Sequence, residues 1–96
     1  MFIVSLNYTS TLEEIDKHIA EHLIHLDKQY SLGNFIASGR KEPRTGGFIL
    51  ATVASKVELE SILASDPFHR EKLAEFVVTE FIPTKTSPEL SFLLRT

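Results

Sequence analysis

The spacing between apolar residues changes repeatedly along the chain, and the order of these changes constrains the fold more than any single residue does. Over residues 2–8 every second side chain is apolar, which is typical of a β-strand. Over residues 11–31 apolar side chains instead recur every three or four positions, which predicts an amphipathic helix. Ser10 or Thr11 provides a capping sequence for this helix, and Gly33 ends it. The chain is therefore expected to begin with a strand followed by a long helix.

The rest of the chain follows the same two periods, interrupted by residues that favour turns. Pro43 presets a turn, and we expect the Gly46–Gly47 pair to supply positive φ angles in the same loop. The later elements are predicted as strands at 34–40 and 45–54, a helix from Ser55 to about Ser65, a helical turn at 68–73 and a last strand at 76–82. The order β-α-β-β-α-β predicts an α+β, ferredoxin-like fold with a four-stranded antiparallel sheet and two helices on one face.

The predicted sheet has more apolar surface than the single domain expected for residues 1–96 can cover. The third and fourth strands are apolar on both sides; on the third, Phe48 and Leu50 alternate with Ile49. A solvated sheet face would carry polar residues instead. Because two helices cover only one face, either the apolar tail at 84–96 folds back over the other face or a second copy of the chain packs against it. We expect the second copy, with the tail sealing its edge. This predicts a homodimer through the sheet face.

The charge and the cysteine content exclude several classes of function. Ten Lys and Arg against thirteen Asp and Glu give a net charge of -3, so the chain lacks the excess of cations that a nucleic-acid-binding surface needs. The absence of cysteine excludes disulfides, thiolate metal sites and a cysteine nucleophile. No apolar run approaches the ~20 residues of a membrane span, and the first residues lack the basic start of a signal peptide. We therefore expect a cytoplasmic protein with no membrane partner.

One histidine falls on the face of the first helix that should be buried. His22 lies between Ile19 and Leu26 at 100° per residue, where a titratable ring is unusual. It is either a core residue held by one hydrogen bond or a general acid or base that lines a cleft. His18 and His25 lie one turn away on either side, a spacing that can present two imidazoles to a metal ion, but no third ligand can be placed. We therefore predict no metal site and expect His18 and His25 to lie in solvent.

An aspartate follows the second helix. Asp66 precedes Pro67, a pair well suited to begin a helical turn, with Asp as the cap and Pro at the first position. Asp66 is also a candidate to orient the imidazole of His22 and stabilise its charged form. Antiparallel helices would place Asp66 near the start of the first helix, roughly 16 Å from His22. We therefore expect the two to meet only through long side-chain reach, a water or a second subunit.

The predicted hairpin loop concentrates cations and glycines in an otherwise acidic chain. Residues 38–47 contain three cationic side chains and three glycines. Exposed N–H groups and guanidinium groups together bind carboxylates or phosphates, so Ser38, Arg40 and Arg44 are candidates for binding a small anion; the alternative is a solvated hairpin tip. The chain contains no GxxxxGK[ST], GxGxxG or GxSxG sequence, so we expect no nucleotide cofactor and no serine-hydrolase chemistry.

Several short stretches spread over nearly the whole chain form a specific combination, although each is weak alone. They are Glu21–His22, Leu26–Lys28, Phe35–Gly39, Pro43–Gly47, Asp66–His69, Glu80–Phe81 and Pro83–Thr84. This combination resembles the YciI-like family of small dimeric α/β-barrel proteins. The resemblance implies a single YciI-like domain whose ferredoxin-like sheet packs on that of its mate. Many relatives have Gly-Pro where this chain has Gly39–Arg40, a departure that adds a positive charge to the wall of the family's cleft.

The resemblance also implies a candidate activity. The family is related to muconolactone-isomerase-like enzymes, including a dehalogenase of chloromuconolactones, and its His and Asp that meet in a cleft correspond to His22 and Asp66. One hypothesis is therefore an isomerase- or lyase-type enzyme in which His22 moves a proton on a small carboxylate-bearing lactone or muconolactone-like substrate, while Arg40 or Arg44 pairs with the carboxylate. The alternative is a non-catalytic dimeric module that binds a small anionic metabolite.

Overall fold

The computed structural model describes residues 1–94, and its centre is one antiparallel four-stranded sheet. The strands are β1 (Phe2–Tyr8), β2 (Phe35–Arg40), β3 (Gly46–Ala51) and β4 (Ala74–Glu80), in the spatial order β2-β3-β1-β4. Val4 in β1 pairs with Ile49 on one side and with Val78 on the other, so β1 lies inside the sheet. The predicted sheet is confirmed, and the β2–β3 hairpin forms one of its edges.

Three helices cover one face of this sheet: α1 (Leu12–Ser31), α2 (Lys56–Ala64) and α3 (Pro67–Arg70). The Thr11 hydroxyl accepts a hydrogen bond from the N–H of Glu14, and the Ser55 hydroxyl accepts one from the N–H of Glu58, each at 3.2 Å. These caps begin α1 and α2 where the sequence predicts them, and α3 is the additional helical turn. The α+β element order is confirmed. Across residues 1–94, no helix combines the length and apolar character that crossing a bilayer requires.

Two strands differ from their predicted bounds by two or more residues at one end or both. β3 ends at Ala51, and the N–H of the next residue, Thr52, donates to the carbonyl of Asn34 at 2.9 Å, just before β2 begins. β4 begins at Ala74, two residues earlier than predicted, and ends at Glu80. Lys72 has a φ of 57°, a left-handed conformation that turns the chain out of α3 and into the strand. The strand therefore starts as soon as that turn is complete.

The hydrophobic core lies between the sheet and the helices. Its larger buried side chains are Phe2, Val4, Leu6, Ile15, Leu26, Phe35, Ile49, Leu59, Leu63 and Phe68. Val57, although apolar, does not belong to the buried face of α2, because its side chain is 77% exposed. Val57 lies two residues, or 200° of helix rotation, from Leu59, which is fully buried. The buried face of α2 is therefore formed by Leu59 and Leu63, one turn apart.

The opposite face of the sheet, called the open face below, is formed by alternate residues of the strands. Its members include Ile3, Ser5, Phe48, Leu50 and Val77. Phe48 is 46% exposed and Val77 is 44% exposed. Lys41 extends over this face: its Nζ donates to Ser5 at 3.0 Å and to Asn7 at 2.6 Å, and it lies 4.9 Å from the centroid of the Phe48 ring. The open face thus combines exposed apolar side chains with one held cation.

The tail lies near one end of the open face. It contains a short 3₁₀ segment, Pro88–Leu93, and Leu90 borders an apolar groove of about 440 Å³ that Leu50 and Phe81 also line. Because Phe48 and Val77 remain exposed, the tail covers only part of the face. Residues 95–96, which complete the predicted tail and the predicted single domain, lie outside the described residues.

Candidate functional site

Asp66 lies at the junction between α2 and α3 and is fully buried, with an exposed fraction of 0%. Its carboxylate caps α3: Oδ1 accepts a hydrogen bond of 2.9 Å from the N–H of Phe68, and Pro67 occupies the first turn. An aspartate before a proline suits this position, because the carboxylate satisfies an N–H that has no partner inside the helix while proline has no N–H to lose. The local sequence therefore places the carboxylate at the start of α3.

The imidazole of His22, on α1, contacts this carboxylate directly. Nδ1 of His22 lies 2.9 Å from each of the two carboxylate oxygens of Asp66. The expected separation of roughly 16 Å is wrong, because α3 packs against the middle of α1, whereas the expectation placed Asp66 at the end of a helix antiparallel to it. Neither a bridging water nor a second subunit is needed for the two side chains to meet.

Aromatic packing fixes the orientation of the imidazole. The ring of His22 stacks on the ring of Phe68, with centroids 4.0 Å apart and planes 6° from parallel. Tyr8 meets Phe68 edge-on, with centroids 6.0 Å apart. The His22 side chain is only 10% exposed. Nδ1 is directed at Asp66, so the second ring nitrogen, Nε2, is the one left for another partner, and His22 lines a cleft.

The carboxylate also determines which nitrogen of His22 carries the hydrogen. An ionised carboxylate can only accept hydrogen bonds, so Nδ1 carries the hydrogen and donates it to Asp66. In the neutral ring Nε2 then has a free lone pair. When Nε2 takes up a proton, the neighbouring carboxylate stabilises the resulting imidazolium. This arrangement can accept a proton from a molecule in the cleft and return it.

The cleft has a volume of about 470 Å³ and opens between α1 and the β2–β3 hairpin. Its lining includes Ile19, His22 and Leu26 from α1 and Ser38, Arg40 and Arg44 from the hairpin. The structure therefore brings all three candidate anion-binding residues to the same cleft as His22, with Asp66 behind the imidazole.

Two polar contacts join the hairpin to α1 on either side of His22 in the helix sequence. The hydroxyl groups of Tyr30 and Ser38 lie 2.6 Å apart. The guanidinium of Arg44 donates from Nη2 to Oδ1 of Asp16 at 2.5 Å. This hydrogen bond, together with the charge of Asp16, raises the pKa of Arg44 above its already high usual value. Ser38 and Arg44 thus have partners within the chain.

Arg40 is the cation of the cleft that is most available to a ligand. Its Nε lies 3.9 Å from the carboxylate of Glu42, and the two side chains are 72% and 83% exposed. An ion pair this exposed contributes little and is readily exchanged for another partner. The sequence pattern did not identify Tyr30 as a partner of Ser38. The available signal was its hydroxyl, because a tyrosine packed at the end of a helix commonly finds a polar partner for that group.

Gly46 and Gly47, which line the cleft, are required to be glycine for a reason other than the predicted one. Neither has a positive φ; within residues 1–94 the one glycine that does is Gly33. Both instead begin β3, where a Cβ on Gly46 would lie 1.7 Å from the carbonyl oxygen of Leu6, and one on Gly47 would lie 2.8 Å from that of Gly39. The expectation of positive φ angles is wrong, because these glycines allow neighbouring strands to approach closely.

The other two histidines of α1 differ in their surroundings. His25 is buried, contrary to the expectation that it lies in solvent, and its Nε2 has no hydrogen-bond partner among residues 1–94. Burial lowers the pKa of His25; the charge of His22 lowers it further, while Asp66 opposes the shift. His18 is half-buried, with Nδ1 3.1 Å from the carbonyl oxygen of Glu14. Within the described part of the chain, no three acidic or histidine side chains group around a common point that could hold a metal ion.

Among solved structures, the fold is similar to that of 5-chloro-2-hydroxyhydroquinone dehydrochlorinase from Burkholderia phenoliruptrix AC1100, in complex with 2,5-dihydroxybenzoquinone. The TM-score is 0.71 at 19% sequence identity, and the superposition covers 84% of this chain and 93% of that chain. At this identity the likeness establishes the fold. No curated protein matches the sequence.

The sequence also matches a family model, that of the YCII-related domain, over residues 1–82. This range contains all four strands, the three helices and both members of the pair formed by His22 and Asp66. The match confirms the resemblance stated from the sequence motifs. The chain therefore belongs to the YCII-related domain family.

Proposed function

We propose that this chain is a small acid–base enzyme in which His22 transfers a proton on a small carboxylate-bearing ring compound, such as a lactone or a muconolactone-like molecule. The observation that carries the proposal is the contact of Nδ1 with both oxygens of the buried Asp66, at 2.9 Å each, in the wall of a cleft. To cap α3, the carboxylate of Asp66 needs to accept a hydrogen bond only from the N–H of Phe68. The additional contact with His22 sets the tautomer of a ring that a ligand can reach.

The proton path follows from that tautomer. Nε2 of His22 takes a proton from an acidic carbon or hydroxyl of the substrate, and the electron pair left behind moves into the substrate as an enolate or expels a leaving group. The imidazolium formed is stabilised by Asp66 and then returns the proton to the product or to water. In this scheme Asp66 is a positioning residue and keeps its own charge throughout.

Arg40 is proposed to bind the carboxylate of the substrate. A guanidinium presents two parallel N–H donors that match the two oxygens of a carboxylate. The side chain of Arg40 lines the cleft and is only weakly engaged by Glu42. Ser38, whose hydroxyl is oriented by Tyr30, offers a further hydrogen bond in the same cleft. A ligand held by these groups would lie against the wall that carries His22.

The solved dehydrochlorinase of the same fold supports this class of chemistry. Its name describes the removal of hydrogen and chlorine from a hydroxylated ring, and its bound ligand is a dihydroxybenzoquinone. Loss of hydrogen chloride requires a base to take the proton while chloride leaves. A small, polar ring compound and a base in the cleft are the elements common to that reaction and to the one proposed for this chain.

The experiment compares the wild type with H22Q, D66N and the control H18Q on a panel of lactones, enols and halogenated acids. Proton NMR in deuterated water detects turnover and also the exchange of substrate protons without net reaction. We expect H22Q to lower the rate about 10²–10⁴-fold while substrate affinity changes little. D66N should also lower the rate strongly, because the amide no longer fixes the tautomer. H18Q, on the same helix but outside the cleft lining, should retain the activity.

A different outcome would assign the chain to the alternative class. If no compound of the panel reacts or exchanges protons, yet small anions bind in the cleft, then His22 is not catalytic. The chain would then be a non-catalytic module for a small anionic metabolite. Equal activity of H22Q and the wild type would likewise contradict the proposal.

We also propose that the open face of the sheet pairs with the open face of a second copy. The support is the apolar surface there, with Phe48 and Val77 each more than 40% exposed. Light scattering should give the mass of a dimer for the wild type and that of a monomer for V77K. The matched control is V57K, because Val57 is equally apolar and more exposed but lies on α2. A wild-type chain that is monomeric at micromolar concentration would contradict the dimer.

A further inference from the structure

The ion pair between Asp16 and Arg44 links the two walls of the cleft. Arg44 belongs to the loop of the hairpin and lines the cleft, whereas Asp16 lies in the second turn of α1. Nη2 of Arg44 donates to Oδ1 of Asp16 at 2.5 Å. One of the two arginines of the cleft is therefore neutralised by a carboxylate of the chain itself.

This pair has little to do with the stability of the fold. The side chains of Arg44 and Asp16 are 34% and 56% exposed, and ion pairs at this level of exposure contribute little to the stability of a fold. The core does not include either residue. The clearer consequence of the pair is electrostatic: with Asp16 in place, the positive charge most available to a ligand is that of Arg40, because its exposed ion pair with Glu42, at 3.9 Å, is readily exchanged.

We propose that Asp16 determines the charge of the ligand, so that the cleft selects small carboxylates with one negative charge over those with two. This inference rests on the proposed anion-binding function of the cleft. A second carboxylate on the ligand must either compete with Asp16 for the guanidinium of Arg44 or lie beside the carboxylate of Asp16. Both cost free energy, and the cost grows with the charge of the ligand. A ligand with one negative charge that binds to Arg40 avoids both of these costs.

The experiment uses the D16N variant and two probes that share one ring, benzoate with one carboxylate and phthalate with two. Dissociation constants come from NMR titrations at neutral pH and low ionic strength, followed through the ring signals of His22 and the side-chain N–H signals of the arginines. Wild type should bind benzoate more tightly than phthalate. We expect D16N to raise the affinity for phthalate about tenfold and that for benzoate about threefold, because doubling the ligand charge doubles the Coulomb energy.

Two further variants separate the ion pair from the general charge of the helix. E14Q removes the same charge two residues away, from a glutamate that pairs with Lys17 and does not line the cleft, and should change either affinity less than about twofold. In D16N/R44Q the released guanidinium is absent, so the gain in phthalate affinity should disappear.

The outcomes distinguish this inference from the function on which it rests. If benzoate binds but D16N leaves the ratio between the two probes unchanged, or E14Q changes it equally, the role of Asp16 is wrong while the anion site stands. If wild type binds phthalate more tightly than benzoate, the selectivity itself is contradicted. If neither probe binds to the wild type or to D16N, both the anion site and the role of Asp16 are refuted.

Discussion

The ring of Phe68 stacks on the imidazole of His22 at a centroid distance of 4.0 Å, while the backbone N–H of Phe68 donates to the carboxylate of Asp66. One residue thus contacts both members of the candidate catalytic pair. Phe68 is also 1% exposed and belongs to the hydrophobic core. The geometry of the pair and the packing of the core are therefore coupled through this side chain.

Changes at Phe68 should affect stability and the order of the site together. F68A leaves a cavity and should lower the free energy of unfolding by about 3–5 kcal/mol, whereas F68L, which conserves apolar volume, should cost about 1 kcal/mol. Urea titration gives both values. In F68L the imidazole loses its stacking partner, so the NMR signals of His22 should shift and broaden. The control L63A, a core change on α2, should destabilise the chain without altering those signals; unchanged His22 signals in F68L would contradict the coupling.

Replacing Asp66 should separate its capping role from its contact with His22. D66A removes the acceptor of the Phe68 N–H and leaves the buried Nδ1–H of His22 without its partner, so we expect a loss of about 2–4 kcal/mol. D66N retains an oxygen at the cap, so it should lower the free energy of unfolding by less than half as much as D66A does. S55A, which removes the exposed cap of α2, should cost about 1 kcal/mol. Equal losses for D66A and S55A in urea titrations would mean that Asp66 serves only as a cap.

The glycines of the hairpin should differ sharply in their tolerance of alanine. In G46A the new Cβ would lie 1.7 Å from the carbonyl oxygen of Leu6, so β1 and β3 must separate. We expect the free energy of unfolding to fall by at least about 3 kcal/mol, or the chain not to fold. A Cβ on Gly39 meets no atom within 4 Å, and G39A should change stability by less than about 1 kcal/mol. Thermal unfolding of the two variants provides the comparison. A folded G46A with the stability of the wild type would refute the close approach.

The burial of His25 should make the chain less stable in acid. Burial lowers the pKa of His25 in the folded chain, so the unfolded chain binds a proton more readily. The stability that this group contributes is fully present above the unfolded value of about 6.5 and is lost as the pH falls from there towards the folded value. Urea midpoints measured across this range should fall less steeply for H25Q than for the wild type. H69Q changes an exposed histidine and should keep the wild-type slope; a wild-type slope in H25Q would contradict the assignment.

Much of the fold could be predicted because its signals are local. The hydroxyl groups of Thr11 and Ser55 accept hydrogen bonds from N–H groups only three residues away. In β1 the alternation of apolar residues itself indicates which side chains enter the core. The errors arose where a neighbour distant in sequence decides. Gly46 was interpreted as a turn glycine because the approach of β1, through Leu6, leaves no trace in the loop itself.

The candidate site was predictable in its members but not in its geometry. Residue type and helix position were enough to select His22, and the Asp66–Pro67 sequence was enough to predict a cap. Their direct contact, which joins positions 44 residues apart, depends on how α3 crosses α1. The same holds for Arg44, whose side chain is engaged by Asp16 from the other wall of the cleft. It also holds for His25, which is buried although its neighbours three and four positions away along the helix are all polar.

By itself the sequence determined the order of the strands and helices, the residues that begin each helix and the family to which the chain belongs. The order of the elements and the helix starts depend on periodicity and on hydrogen bonds between residues three or four positions apart, so they are encoded within short segments. The family follows from a combination of short motifs spread along the chain. Only the tertiary structure decided that His22 meets Asp66, that Arg44 is paired while Arg40 is available, and that His25 is buried. Such contacts depend on the angles and distances at which whole elements pack, and no short segment of the chain encodes them.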